Sequence, residues 1–102
     1  MNRLSGKSAL VIGGGIGGLA TALRLKQAGC RVTLLEKNST VGGKVAERRA
    51  NGFRWDVGPS LFTMPQILDR LFTDLGESRE KYLTLEPLSP TCRYRWADGY
   101  QF

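Results

Sequence analysis

The spacing of apolar and polar residues changes several times along this chain, and each change marks an element. Ser8-Ala9-Leu10-Val11-Ile12 is a short apolar run with the length of a buried strand. Ile16 to Ala28 takes helical spacing, and Cys30 to Glu36 reads as a second strand. Val45 to Ala50 and Phe53 to Val57 then flank Asn51-Gly52, a favoured two-residue type I′ turn, so a β-hairpin is predicted. Phe53, Trp55 and Val57 alternate with Arg54 and Asp56, which predicts one packed face and one wet face. Gly58-Pro59 stops that ladder. Thr63-Met64-Pro65-Gln66 resembles a helix start, with Thr63 as cap, Gln66 closing a capping box and Pro65 tolerated in the first turn. Ile67, Leu68, Leu71, Phe72 and Leu75 fall on one face of that helix, opposite Gln66, Asp69, Arg70, Thr73 and Asp74, and Gly76 ends it. The stripe suits core or domain-interface packing better than a membrane face. Leu83 to Glu86, Thr91 to Trp96 and a run from Tyr100 read as strands, the last two joined by an Ala97-Asp98-Gly99 turn.

The glycines give this pattern its chemistry. Five of the six residues from Gly13 to Gly18 are glycine, and they lie between the first strand and the first helix. G-x-G-x-x-G is realised at Gly13, Gly15 and Gly18, and Glu36 stands about 20 residues further on, at the end of the second strand. In that context the motif predicts a dinucleotide-binding βαβ unit. Gly13 permits the tight turn, Gly15 lets backbone approach a pyrophosphate, and Gly18 lets helix pack on strand. The helix N-terminus presents N–H groups and the positive end of its dipole to phosphate. Glu36 can accept hydrogen bonds from ribose hydroxyls, and its charge disfavours a 2′-phosphate, which makes NADP the least suitable ligand. Gly42-Gly43-Lys44 follows closely. As an isolated segment it is an ordinary turn with an exposed lysine; beside the first motif it is expected to touch the same ligand, with Lys44 placing a cation near the phosphates.

Composition narrows the classes. The 102 residues amount to no more than one domain with a modest core. Fifteen Lys and Arg against nine Asp and Glu give a formal charge of +6. The basic residues are scattered, and the small clusters Arg48-Arg49 and Arg93-Tyr94-Arg95-Trp96 come with no nucleic-acid-binding motif, so nucleic acid is not an expected partner. The same charge suits an anionic lipid surface. The sequence has no histidine, which removes histidine-based triads, general bases and metal ligands, and no metal site is expected. Cys30 and Cys92 have no metal-ligand or C-x-x-C spacing and read as reduced structural thiols of a cytosolic protein. Arg3 and Lys7 ahead of an apolar run imitate a signal peptide, but the glycine loop breaks the run and a first strand fits it better. No segment reaches the roughly 20 apolar residues of a membrane span.

Taken together, Gly13 to Gly18 with Glu36, Val41-Gly42-Gly43-Lys44 and Phe53-Arg54-Trp55-Asp56-Val57-Gly58-Pro59-Ser60 resemble the phytoene desaturase family of carotenoid desaturases, among the amine-oxidase-like flavoproteins. The likeness runs on through Leu61 to Leu75 and, more loosely, to Leu85-Glu86-Pro87-Leu88 and Trp96-Ala97-Asp98-Gly99, nearly the whole chain. The family often has arginine where Lys44 stands. The resemblance implies extended FAD, with Gly13, Gly15, Ile16, Gly17 and Gly18 at the pyrophosphate and Glu36 with Lys37 at the adenosine ribose. It also implies Gly42, Gly43 and Lys44 along the pyrophosphate and ribityl side, and Gly58, Pro59 and Ser60 toward the flavin. Asp56 is expected to be a structural carboxylate holding its turn, and no catalytic acid or base is assigned.

The implied fold class is α/β: an FAD-binding Rossmann-like βαβ unit, a β-hairpin, a helix and the start of a strand-rich segment. Residues 1–60 are expected to form the cofactor core and residues 61–102 the start of a substrate-side segment. With only two strands suited to a parallel sheet, the chain reads as the N-terminal part of a larger two-domain flavoprotein. The implied reaction is desaturation of an apolar polyene such as phytoene, with hydride passing to the flavin and a quinone or oxygen reoxidising it. A cytoplasmic enzyme peripheral at the membrane follows from so apolar a substrate. Alternatives are another FAD oxidoreductase of that superfamily (a carotenoid isomerase, a retinol-saturase-like enzyme or an amine oxidase) or a truncated, non-catalytic FAD-binding module. An NAD-dependent dehydrogenase leaves Gly42-Gly43-Lys44 without a task.

Overall fold

Parallel pairing of the first two strands organises the N-terminal half. The structure is a computed structural model, and it describes residues 3–102. β1 (Ser8–Ile12) leads through the glycine turn into α1 (Ile16–Gln27) and then β2 (Arg31–Leu35). β1 and β2 pair in parallel from Ser8 opposite Arg31 to Ile12 opposite Leu35. This is the expected βαβ unit, with α1 stopping one residue short of the predicted Ala28. Alternation along the strands turns Ala9, Val11, Val32 and Leu34 toward α1, where they are wholly or half buried.

The opposite face of the sheet is bare. Leu10 and Leu35 are more than half exposed, and Ile12 is 81% exposed. Only Val11 and Cys30 are buried hydrophobic residues among those described, so the expected modest core is smaller than the composition suggests. One helix over two strands can cover a single face, and parallel sheets ordinarily bury both. The radius of gyration is 18.5 Å, against about 13 Å for a compact chain of this length.

β3 (Glu47–Ala50) and β4 (Phe53–Asp56) form the expected antiparallel hairpin, with Ala50 opposite Phe53. Both turn residues have positive φ (Asn51 51°, Gly52 80°), as a type I′ turn requires. The predicted packed face is exposed instead: Phe53 and Trp55 lie on the surface with ring centroids 5.9 Å apart, and Val57 is exposed beside them. The other face carries Glu47, Arg49, Arg54 and Asp56 in one chain of ion pairs. Asp56 accepts from Arg54 Nη2 at 2.7 Å, so it binds back along its own strand rather than holding the following turn.

α2 (Pro65–Asp74) starts without the predicted capping box. Met64 is its N-cap, in left-handed backbone (φ 56°), and no side chain caps the helix; Thr63 and Gln66 are both exposed. Leu68, Leu71, Phe72 and Leu75 are half-buried as the stripe predicts, but Ile67 lies exposed. Asp69, assigned to the wet face, is instead half-buried and paired with Arg79. Arg79 sits in a short 3₁₀ turn, Arg79–Lys81, that the sequence pattern did not indicate. Phe72 packs on Tyr82 at 5.3 Å between centroids.

Leu83 to Glu86 forms no strand. Arg79 Nη1 donates to the Leu83 carbonyl at 2.8 Å, which ties this stretch to the 3₁₀ turn and away from a ladder. The C-terminal hairpin is reduced to one bridge, Arg95 to Gln101, with Tyr94 and Phe102 exchanging backbone hydrogen bonds at 2.9 and 3.1 Å. Cys30 is buried and donates from Sγ to the Leu4 carbonyl at 3.3 Å; Cys92 is exposed, so only the first of the two behaves as a packed thiol. No helix among the described residues is long and apolar enough to cross a membrane.

Candidate dinucleotide site

The three sequence signals for a dinucleotide converge on the C-terminal end of the β1–β2 sheet. Gly13 leaves β1 with φ 99°, a conformation that side chains disfavour, and its N–H donates to the Leu35 carbonyl at 2.7 Å. The first helical hydrogen bond of α1 runs from Leu19 N–H to the Gly15 carbonyl at 2.9 Å. Ile16, Gly17 and Gly18 therefore lie in the first turn, whose N–H groups have no partner within the helix, and no side chain caps them. Open space lies where a side chain would project from Gly15 and Gly17: a Cβ at either would meet nothing within 4 Å. Gly18 is the opposite case, since its Cβ would stand 1.9 Å from the Gly13 carbonyl oxygen. One glycine thus leaves room for a ligand and another closes helix on strand, as the motif requires.

Glu36 is half-buried at the end of β2 and is engaged with the loop itself. Its Oε2 accepts the Gly14 N–H at 2.6 Å, and Oε1 accepts the Asn38 N–H at 2.8 Å. These donors, Asn38 first and Gly14 second, hold the carboxyl below the ordinary glutamate range. Each oxygen keeps a further lone-pair direction, so the carboxylate can accept from a sugar hydroxyl without releasing the loop.

Val41 to Lys44 lies as a strap against the glycine loop. Gly42 N–H donates to the Gly14 carbonyl at 2.7 Å, and Gly15 and Gly42 form a parallel bridge. A Cβ at Gly43 would lie 3.1 Å from Gly15 Cα, and one at Gly42 2.4 Å from the Val45 carbonyl oxygen. Both have positive φ, 120° at Gly42 and 63° at Gly43. The Lys44 carbonyl meets Gly58, where a Cβ would stand 1.8 Å from its oxygen.

Gly13, Gly15, Ile16, Gly17, Gly18, Glu36, Gly42, Gly43, Lys44 and Gly58 therefore belong to one connected backbone assembly. Lys37 is exposed just beyond Glu36. Pro59 and Ser60 line separate hollows. Pro59 faces one of about 220 Å³ with Val45, Ala46, Glu47, Arg54 and Asp56. Ser60 lines a larger one, about 570 Å³, whose walls include Leu61, Phe62, Arg79, Leu85 and Leu88. Sequence reasoning passed over Gly14, which occupies a variable place in the motif yet binds both Glu36 and Gly42. Its signal was the unbroken run Gly13-Gly14-Gly15. Arg79 was also missed, because pairing with Asp69 across a turn leaves no periodic trace.

An open space in front of Gly15, first-turn N–H groups with no partner within the helix and a fixed acceptor at Glu36 suit the pyrophosphate and ribose of a dinucleotide. Residues 11–75, more than half of the chain, match the family described as NAD(P)-binding Rossmann-like domain. The chain is 44% identical over 101 residues to a carotenoid 3,4-desaturase of Haloarcula japonica, covering 99% of this chain and 20% of that protein. It is 41% identical over 99 residues to a 4,4'-diapolycopene oxygenase of Methylomonas sp, covering 97% and 20%. A 1-hydroxycarotenoid 3,4-desaturase of Flavobacterium sp. is 44% identical over 99 residues, covering 94% and 20%. The chain thus spans about a fifth of the length of the curated relatives it matches. Among solved structures, the CLA-producing fatty acid isomerase from P. acnes aligns with a TM-score of 0.47 and 36% identity, over 67% of this chain and 17% of that one.

Proposed function

Because this chain belongs to the NAD(P)-binding Rossmann-like domain family, we propose that it is the cofactor-binding N-terminal part of an FAD-dependent carotenoid oxidoreductase. The observation that carries this reading is the docking of the Val41 to Lys44 strap on the Gly13 to Gly18 loop. A simple NAD site needs only the loop, the helix and the acid. The strap adds a second glycine-lined wall and a cation, which suits a longer ligand such as FAD. Carotenoid-acting relatives at 41–44% identity support a polyene as substrate, and desaturation of phytoene or a similar precursor is the specific reaction we favour.

The residues present fit the adenosine diphosphate half. The first turn of α1 would donate N–H groups to the pyrophosphate, and Gly15 and Gly43 would let backbone lie against it. Glu36, held by Gly14 and Asn38, would accept from the ribose and repel a 2′-phosphate. Lys44 would offset phosphate charge. Bound FAD would supply a two-electron acceptor, taking one hydrogen as hydride while the adjacent carbon loses its hydrogen as a proton to solvent and the C=C bond forms, with a quinone or oxygen reoxidising the flavin. Positioning the polyene falls to surfaces beyond this site, and no proton-transfer residue is assigned within the chain. Apolar substrate of this kind is delivered from a membrane surface, so we place the enzyme in the cytoplasm, peripheral at the membrane.

The oxygenase named among the relatives favours one second reading, oxidation of the polyene by oxygen insertion. The two separate in one experiment. The full-length polypeptide carrying this chain is purified with FAD and mixed anaerobically with phytoene in liposomes. Bleaching of the flavin bands with a more unsaturated product supports desaturation. Product that forms only in air and carries oxygen supports the second reading. An anaerobic flavin that stays oxidised, with no product formed in air either, removes phytoene as the substrate.

A further inference from the structure

Gly58 lies at the exit of β4, away from the glycine loop in sequence, yet it touches the assembly at a point where no other residue fits. A Cβ there would fall 1.8 Å from the Lys44 carbonyl oxygen, 2.9 Å from its carbon and 3.4 Å from Val45 Cα. These are backbone atoms, so no side-chain rotation can make room. The neighbouring Val57 N–H donates to the Ala46 carbonyl at 3.0 Å, which fixes the same approach from the hairpin side. Lys44 closes the strap whose Gly42 donates to Gly14 and whose Gly43 lies on Gly15.

We infer that Gly58 is a positioning residue for the dinucleotide site: it seats the Lys44 carbonyl and thereby holds the Val41 to Lys44 strap on the glycine loop. It acts through the strap, without needing to touch the ligand, and makes the β3–β4 hairpin part of the binding apparatus. This inference rests on the dinucleotide reading for its functional consequence but on backbone geometry for its mechanism.

Hydrogen exchange on the full-length polypeptide carrying this chain, unsubstituted and with Gly58→Ala, tests it, with ADP titration alongside. In Gly58→Ala the Gly42 amide should lose about tenfold of its protection, while β1–β2 amides such as Leu34 keep theirs. ADP affinity should fall by about tenfold or more in the same variant. A folded Gly58→Ala with Gly42 protection and ADP affinity both within about twofold of the parent would overturn the inference. If the unsubstituted protein takes neither ADP nor FAD but Gly42 still loosens in the variant, the dinucleotide reading fails and the coupling stands. Should Gly58→Ala not fold, native-state exchange of the parent decides. Gly42 and Val57 amides opening as one unit with the same denaturant dependence support the coupling, and independent opening overturns it.

Discussion

The glycine loop with its strap and the remainder of the chain from the β3–β4 hairpin onward are held together by different forces. In the first region backbone meets backbone. Gly13 binds Leu35, Gly42 binds Gly14, Gly18 sits where a single methyl group would strike a carbonyl, and Gly58 reaches in from the hairpin to meet the Lys44 carbonyl in the same way. In the second, backbone pairing within each hairpin is accompanied by ion pairs between side chains: Glu47 with Arg49 and Arg54, Arg54 with Asp56, Asp69 with Arg79, and Glu77 with Lys81. Backbone contacts at such distances leave almost no tolerance for substitution. The exposed ion pairs among these, all but Asp69 with Arg79, tolerate replacement and are screened by salt. On the proposed reading the site presents N–H groups to a pyrophosphate, and such precision comes from the first kind of contact.

The largest contrast should come from one substitution made in both regions. Gly18→Ala puts a Cβ 1.9 Å from the Gly13 carbonyl and should cost about 3 kcal/mol by overpacking at the heart of the βαβ unit. Gly76→Ala, at the end of α2, meets open space and bears only the strain of its φ of 77°, about 1 kcal/mol. Urea unfolding of both variants checks the difference. Equal costs would mean that the glycine turn relaxes freely and does not fix helix on strand.

Gly15→Val sharpens the same comparison by separating fold from ligand. Its side chain would enter space that is open in the structure, so the unfolding midpoint should change little. FAD affinity should fall about a hundredfold or more, since on the proposed reading the side chain would occupy the space meant for the pyrophosphate. A variant that purifies fully yellow removes Gly15 from the site.

Much of the first region was legible because its determinants are local and glycine has few other reasons to recur at such spacing. Gly13, Gly15, Gly18, Glu36 and the Gly42-Gly43 pair announced the turn, the approach, the packing contact and the acid from residue type alone. Gly14 was not legible, since its two partners, Glu36 and Gly42, are brought near only by the parallel pairing of β1 and β2. The second region was read less well for the same reason. The alternation of Phe53, Trp55 and Val57 predicts a packed face, but packing needs an opposing surface and none of the described residues lies over it. Asp69 was set on a wet face by helical phase, and Arg79, ten positions on, draws it inward. Leu83 to Glu86 has strand composition but no neighbour to pair with.

A smaller effect is expected at Glu36. Glu36→Ala removes the acceptor for Gly14 and Asn38 together with the expected ribose contact, so FAD affinity should drop by about tenfold to a hundredfold. Glu36→Gln should keep the Asn38 or Gly14 bond while losing the charge, and it should narrow the preference for ADP over its 2′-phosphorylated analogue. Isothermal titration of both nucleotides checks both points. Unchanged affinity in Glu36→Ala would assign the acid to loop structure alone.

The smallest effect belongs to the hairpin and depends on pH. Arg49 first, and Arg54 second, lower the Glu47 carboxyl from its ordinary 4.5 to about 2. A carboxylate depressed in the folded state contributes stability that is complete above its unfolded value and is lost as pH falls through its folded value. The hairpin should therefore weaken between pH 4.5 and about 2, and Glu47→Gln should remove that slope. The groups are exposed and screened, so the difference in Tm at pH 6 should be small, about 2 °C, and should vanish in high salt. Trp55, opposite Arg48 in the ladder, reports the event by fluorescence once Trp96→Phe has removed the other indole. ADP binding at pH 6 separates two cases. Glu47→Gln should leave it unchanged, because the charged face of the hairpin stabilises the strands without touching the Lys44–Gly58 contact. A parallel loss of affinity would instead show that surface ion pairs tune the backbone assembly, and the division between the two regions would dissolve.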